Sequence, residues 1–124
     1  MEVGAEQDPA AVRAVHTAAF KDDGHVADLA DALRSDPATL SLVATEGGTV
    51  AGHVMFSRCL LDAPQRLVEV FSLSPLGVLP AFQRRGIGRE LIRRGLAEMD
   101  ARGVPLVFLE GDPFWEYDAV GLRP

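Results

Sequence analysis

Apolar residues recur at helical spacing in three stretches of the chain and at strand spacing in five others. The clearest helix covers about Gly86 to Arg102, where Ile87, Leu91, Ile92, Leu96 and Met99 form one stripe while Arg89, Glu90, Arg93, Arg94, Glu98 and Arg102 fall mainly on the other side. Gly103 then supplies a left-handed cap, and Pro105 follows it. Asp8 and Pro9 read as an N-cap and an N1 proline, opening a helix through Ala11, Val12, Val15, Ala19 and Phe20. A further helix spans about Val26 to Arg34. Leu40 to Glu46 and Thr49 to Leu61 read as strands joined by Gly47-Gly48, a hairpin signal. Leu67 to Val78 is a buried strand interrupted by Pro75 and Gly77, Pro105 to Leu109 a short strand, and Glu2 to Ala5 a short first one. A last helical turn or two follows Asp112-Pro113. The predicted order is β-α-α-β-β-β-α-β-α, with neither repeat nor low-complexity linker.

Composition narrows the class. At 124 residues and 48% hydrophobic, the chain can bury roughly two-thirds of its unfolded surface and is too short for two ordinary domains, so a single domain over 1–124 is expected. No apolar run approaches the roughly 20 residues of a membrane span, and Met1-Glu2-Val3-Gly4 has neither a positive patch nor an apolar core. A cytoplasmic protein that does not engage membranes is expected. Cys59 is alone and reads as a structural thiol on a strand.

Net charge is informative when divided. Residues 1–62 carry ten acids against Arg13, Lys21, Arg34 and Arg58, whereas five arginines lie between Arg84 and Arg94 in a chain of formal charge −6. Nucleic acid would need a wider basic face, so a small multiply charged anion is the better partner. The cations sit at Gln83-Arg84-Arg85-Gly86-Ile87-Gly88-Arg89, where a strand passes into a helix. Unpaired N–H groups and the macrodipole favour an anion there by roughly 0.3–1 kcal/mol, and Gly86 and Gly88 let it approach the backbone. Arg84, Arg85 and Arg89 are read as phosphate contacts, Arg93 and Arg94 as the solvated side of the helix. A Walker A loop would need Lys-Ser/Thr after its last glycine, where Arg89-Glu90 stands; a dinucleotide fingerprint would need glycine in place of Leu91.

The pattern that fits is Gln-x-x-Gly-x-Gly after a strand ending Leu-Gly-Val-x-Pro. With Gly111-Asp112-Pro113-Phe114-Trp115-Glu116-Tyr117 one helix and one strand later, the chain resembles the GNAT superfamily of acyl-CoA-dependent N-acetyltransferases, in its bacterial predicted-acetyltransferase branch. The resemblance runs from about Glu2 to Tyr117. It implies an α/β fold, a mixed sheet flanked by helices, and acetyl-CoA as cosubstrate with no metal. The acceptor would be a primary amine of a small molecule or peptide, attacking directly in a ternary complex. The family continues with a further strand pair where this sequence reaches Pro124, so an uncovered sheet edge and a homodimer packed through the region after Leu109 are expected.

Site roles carried over from the resemblance are these. Pro75 and Gly77 mark where the strand kinks and splays from its neighbour, Leu76 N–H faces the acetyl carbonyl, and Val78 bonds the pantetheine amide. Their side chains are core residues; only the main chain is assigned a role. Tyr117 is either the acid that protonates the departing thiolate or a packing aromatic. Glu69 is the candidate base, Glu110 its runner-up, and His53 reads as a structural histidine. Asp112 reads as a helix cap. A coenzyme A-binding relative without catalysis and an interaction subunit are the alternatives to the enzyme.

Overall fold

A computed structural model describes residues 1–63, 66–105 and 107–109, and the side chains of 60–69 and 109 fall outside that description. The elements are β1 (Glu2–Ala5), α1 (Pro9–Ala19), α2 (His25–Leu33), β2 (Leu40–Glu46), β3 (Thr49–Ala63), β4 (Arg66–Val78), α3 (Ile87–Ala101) and β5 (Val107–Leu109). A single 3₁₀ turn, Pro80–Phe82, joins β4 to the approach of α3. The five strands form one sheet in the order β1-β2-β3-β4-β5, antiparallel except for the parallel pair β4/β5. This is the expected mixed sheet flanked by helices.

Local chemistry starts and stops the helices as the sequence indicates. Asp8 accepts from the N–H groups of Ala10 and Ala11, with Pro9 at the first turn of α1. At the end of α3, Gly103 adopts φ +73° and Val104 N–H reaches back to Met99 O at 3.0 Å, the longer bond of a Schellman cap. α2 begins one residue earlier than expected because Asp22 accepts from Gly24 N–H and Val26 N–H, organising the turn before it. β5 starts at Val107, since Pro105 brings no N–H to a ladder. β3 and β4 are longer than the apolar pattern implies, because they pair with each other as far as Ala63 and Arg66.

The helices lie on opposite faces of the sheet. Ile87, Leu91, Ile92 and Met99 of α3 pack with Ala44, Val54, Phe56, Phe71 and Leu73, and Leu76 and Val78 join them. The α3 backbone comes so close to β3 that a β-carbon on Gly95 would lie 2.0 Å from the Phe56 ring. On the other face Val12, Val15, Ala27 and Ala30 are buried, and Gly77 turns towards α1. Arg13 ties α1 to α2 through Asp28 at 2.9 Å and Asp31 at 2.6 Å. Among the described residues no helix is long and apolar enough to cross a membrane.

One irregularity positions the site. Val54 faces Leu76 and Phe56 faces Leu73, so Ser74 and Pro75 together oppose Met55 as a bulge in β4. Proline is tolerated at a bulge because no ladder bond is asked of it. β4 is therefore redirected just ahead of Leu76.

Candidate active site

The redirected end of β4 exposes main-chain groups. Val78 faces Gly52, and the bond from Leu79 N–H to Ala51 O at 2.8 Å makes this a non-hydrogen-bonded pair. The N–H and C=O groups of Val78 therefore point away from β3, and by alternation so do those of Leu76 opposite Val54. Gln83 secures that geometry from the side: its Nε2 donates to Val78 O at 3.0 Å. The pairing of β4 with β5 runs from Phe71 to Leu73. Beyond it, no described strand lies alongside the outward N–H groups of Leu76 and Val78.

The turn that follows carries a run of backbone donors with no backbone acceptor among the described residues. Arg84 and Gly86 both adopt positive φ, +65° and +83°, with glycine supplying the second at no steric cost. Among the described residues no side chain caps α3, and the first bond onto the turn is Glu90 N–H to Gly86 O at 3.0 Å. Among the described residues no backbone carbonyl accepts from the N–H groups of Arg84 to Gly88. Such a turn of alternating backbone hand at a helix N-terminus is an anion-binding concavity. Gln83, Arg84, Arg85, Gly86 and Arg89 are exposed there, while Ile87 and Gly88 are buried. The Arg85 guanidinium lies 5.3 Å from the centre of the Phe82 ring, which holds it beside the turn. Arg93 instead pairs with Glu90 on the solvent side, as the sequence indicates.

Leu76, Val78 and Gln83 to Arg89 are thus brought together within one strand-to-helix junction. Glu69 is not among them. It faces Leu60 seven residues before Leu76, about 20 Å back along an extended strand. Tyr117, Glu110 and Asp112 lie outside the described residues, as does the segment after Leu109 expected to pack in a dimer.

A second cluster lies beneath the same end of β4, assembled from residues far apart in sequence. His53 and His16 are fully buried, and His16 Nε2 lies 2.7 Å from His53 Nδ1. His53 Nε2 continues to Ser41 Oγ at 2.8 Å, and Ser41 Oγ to Glu6 Oε1 at 2.5 Å. Glu6 is held by Arg34, whose Nε donates to Oε2 at 2.8 Å. Beside them is a cavity of about 330 Å³, lined by Glu6, Arg34, Thr39 and Ser41 among others. Desolvation lowers both imidazole pKa values, His16 to about 4 and His53 to about 3; Arg34 lowers both further, His16 adds to the effect on His53, and Asp22 opposes it at His16.

The hydrogen-bond pattern assigns the tautomers. A carboxylate only accepts, so Ser41 donates to Glu6 and its oxygen accepts from His53 Nε2–H. Neutral His53 then accepts at Nδ1 from His16 Nε2–H. His16 is left with a bare Nδ1, buried and without a partner in the described protein, which costs about 1–3 kcal/mol. That nitrogen abuts Gly77: a β-carbon there would lie 2.6 Å from it. The pattern of α1 places His16 in line with Val12, Val15 and Ala19, so it reads as core; its polar role depends on a partner 37 residues away. Among the described residues no group of three His, Cys, Asp or Glu is placed to hold a metal ion.

Comparison with known proteins agrees with this architecture. Residues 8–122 match the model of the acetyltransferase (GNAT) family. The chain is 33% identical over 122 residues to the uncharacterized N-acetyltransferase YjhQ of Escherichia coli, covering 96% of this chain and 66% of that protein. A GNAT family acetyltransferase from Brucella melitensis, solved in complex with acetyl-CoA, superposes with a TM-score of 0.82 at 38% identity, over 97% of this chain and 80% of that one. YhbS of Escherichia coli, solved in complex with CoA, gives 0.82 at 29% identity, over 97% of this chain and 67% of that one. The chain thus spans just under two-thirds of the length of YjhQ.

Proposed function

Because the chain belongs to the acetyltransferase (GNAT) family, we propose that it transfers an acetyl group from acetyl-CoA to a primary amine of a small molecule or peptide, by direct attack in a ternary complex. The observation that carries this reading is the junction itself. Outward N–H groups at Leu76 and Val78 run directly into an uncapped, arginine-flanked helix start. A long ligand with an amide-bearing arm and a phosphorylated end matches that sequence of donors, and relatives with 38% and 29% identity were crystallised with acetyl-CoA and CoA.

In this mechanism the N–H groups of Arg84 to Gly88, with Arg84, Arg85 and Arg89 around them, bind the pyrophosphate. Val78 N–H bonds the pantetheine arm, which lies along β4 as an added strand would. Leu76 N–H donates to the acetyl oxygen as it gains negative charge, a contribution typically worth about 10²–10³ in rate. Tyr117 donates its phenolic proton to the departing sulfur. Glu69, about 20 Å along the strand, is too remote from Leu76 to act directly as base. The protein works in the cytoplasm, on a substrate that the acid-rich first half of the chain favours as a cation.

Steady-state turnover tests the reading. With acetyl-CoA and a panel of amines including spermidine, benzylamine and a lysine peptide, CoA release should depend on the amine. Binding of acetyl-CoA without turnover on any amine would instead favour a sensor that has kept the cofactor site.

A further inference from the structure

Four side chains from four segments form one hydrogen-bonded file across the α1 face of the sheet: Glu6 after β1, Ser41 on β2, His53 on β3 and His16 on α1. Its direction is set at the outer end. Glu6, held by Arg34, can only accept, and every hydrogen in the file consequently points towards it. The inner end is a lone pair that receives nothing from the described residues. His16 Nδ1 is completely buried, without a partner among the described residues, and pressed against Gly77, the residue between the two whose main-chain groups face the open side of β4. A pair of histidines kept only for packing would have no need of a carboxylate to orient them or of a bare nitrogen at the strand.

Building on the acetyl-transfer reading, we propose that Glu6, Ser41, His53 and His16 form a proton relay for that reaction, with His16 Nδ1 receiving the proton, directly or through one water, and Glu6 as its outlet into the adjoining cavity. As the amine nitrogen bonds to the acetyl carbon and the carbon–sulfur bond breaks, the nitrogen loses one proton and sulfur departs with the electron pair. The proton passes to His16 Nδ1. The Nε2 proton of His16 moves to His53 Nδ1, that of His53 Nε2 to Ser41 Oγ, and the Ser41 hydroxyl proton to the Glu6 carboxylate, which releases it to the cavity. A proton passing inward along the same path restores the tautomers and replaces the one that the thiolate takes up. Burial serves the relay, since two imidazoles kept neutral can each pass a proton on without trapping it. Ser72 Oγ, the other buried neutral side-chain atom without a partner among the described residues, sits on β4 outside the file.

Ser41 is the link to break, because its loss leaves both rings in place. Ser41→Ala should lower kcat about 10²-fold on the best amine of the panel, while the affinity for acetyl-CoA changes less than twofold. Ser41→Thr, which keeps the hydroxyl, should restore most of the rate. In mixtures of H₂O and D₂O the wild-type rate should fall along a curve, the mark of several protons in flight, and that of Ser41→Ala along a straight line. Imidazole ¹⁵N spectra of the wild type should show His16 protonated at Nε2 and bare at Nδ1. Turnover that is unchanged in Ser41→Ala, or a proton on His16 Nδ1, would overturn the relay while leaving acetyl transfer intact. A wild type that fails to bind acetyl-CoA would remove the underlying reading and the relay with it.

Discussion

The β-carbon that Gly77 lacks would stand 2.6 Å from Nδ1 of His16 and 2.9 Å from its Cε1. Strand β4 and helix α1 therefore touch through a glycine and an imidazole. Gly77→Ala should force one of them to shift and destabilise the protein by about 1–3 kcal/mol, the usual range for overpacking. The two positions should be coupled: His16→Ala, costly alone, should tolerate Gly77→Ala with almost no added loss. Urea denaturation of the two single variants and the double variant checks this, and additive losses would mean that the contact is not tight.

The buried histidines also set a pH dependence. Their folded-state pKa values, about 4 for His16 and about 3 for His53, lie below the ordinary 6.5. Between those limits the unfolded chain binds protons that the folded one refuses, so stability is full above about pH 6.5 and declines as pH falls towards 4. Each histidine adds about 1.4 kcal/mol per pH unit to that slope. The charged groups that bear on the pair are Arg34, which opposes protonation of both rings, and Asp22, which eases it at His16; Glu6 lies 3.6 Å from His53 Nε2. Melting temperatures should stay level from pH 7.5 to about 6.5 and then fall towards pH 4.5 in the wild type, and fall much less steeply in His16→Gln/His53→Gln. Parallel curves would place the rings in a more solvated setting than the structure has.

Tyr117 is the only tyrosine of the chain, and its phenol acts in the transition state if it protonates the leaving sulfur. Tyr117→Phe should then lower kcat with acetyl-CoA affinity nearly unchanged. Equal kcat values would return Tyr117 to a packing role.

Much of the fold is legible locally. Asp8-Pro9 and Gly103 carry the cap chemistry of α1 and α3 in their own identities, and Gly47-Gly48 turns β2 into β3 at positive φ. The strand-to-helix turn is legible for the same reason: its geometry from Gln83 to Arg89 is set by residues contiguous in sequence. What escapes is non-local. The ends of β3 and β4 follow from pairing between Ala63 and Arg66, not from apolar alternation. How much strand separates Glu69 from Leu76 follows from the register of β4 with β3, which the apolar pattern does not give. His53 reads as structural and His16 as part of a helical stripe, because neither reveals that they meet, or that Ser41 and Glu6 continue the contact.

The central claim is that the turn from Arg84 to Gly88 holds the phosphates of acetyl-CoA. Calorimetric titration with acetyl-CoA tests it most directly, on the wild type, Gly88→Glu and Arg94→Ala, with thermal melts confirming that each variant is folded. A carboxylate at position 88 places negative charge where the phosphate should sit, so affinity should fall at least about tenfold, or 1.4 kcal/mol. Removing the more distant Arg94 should change it little. No binding by the wild type, or equal affinities for the wild type and a folded Gly88→Glu, would contradict the account.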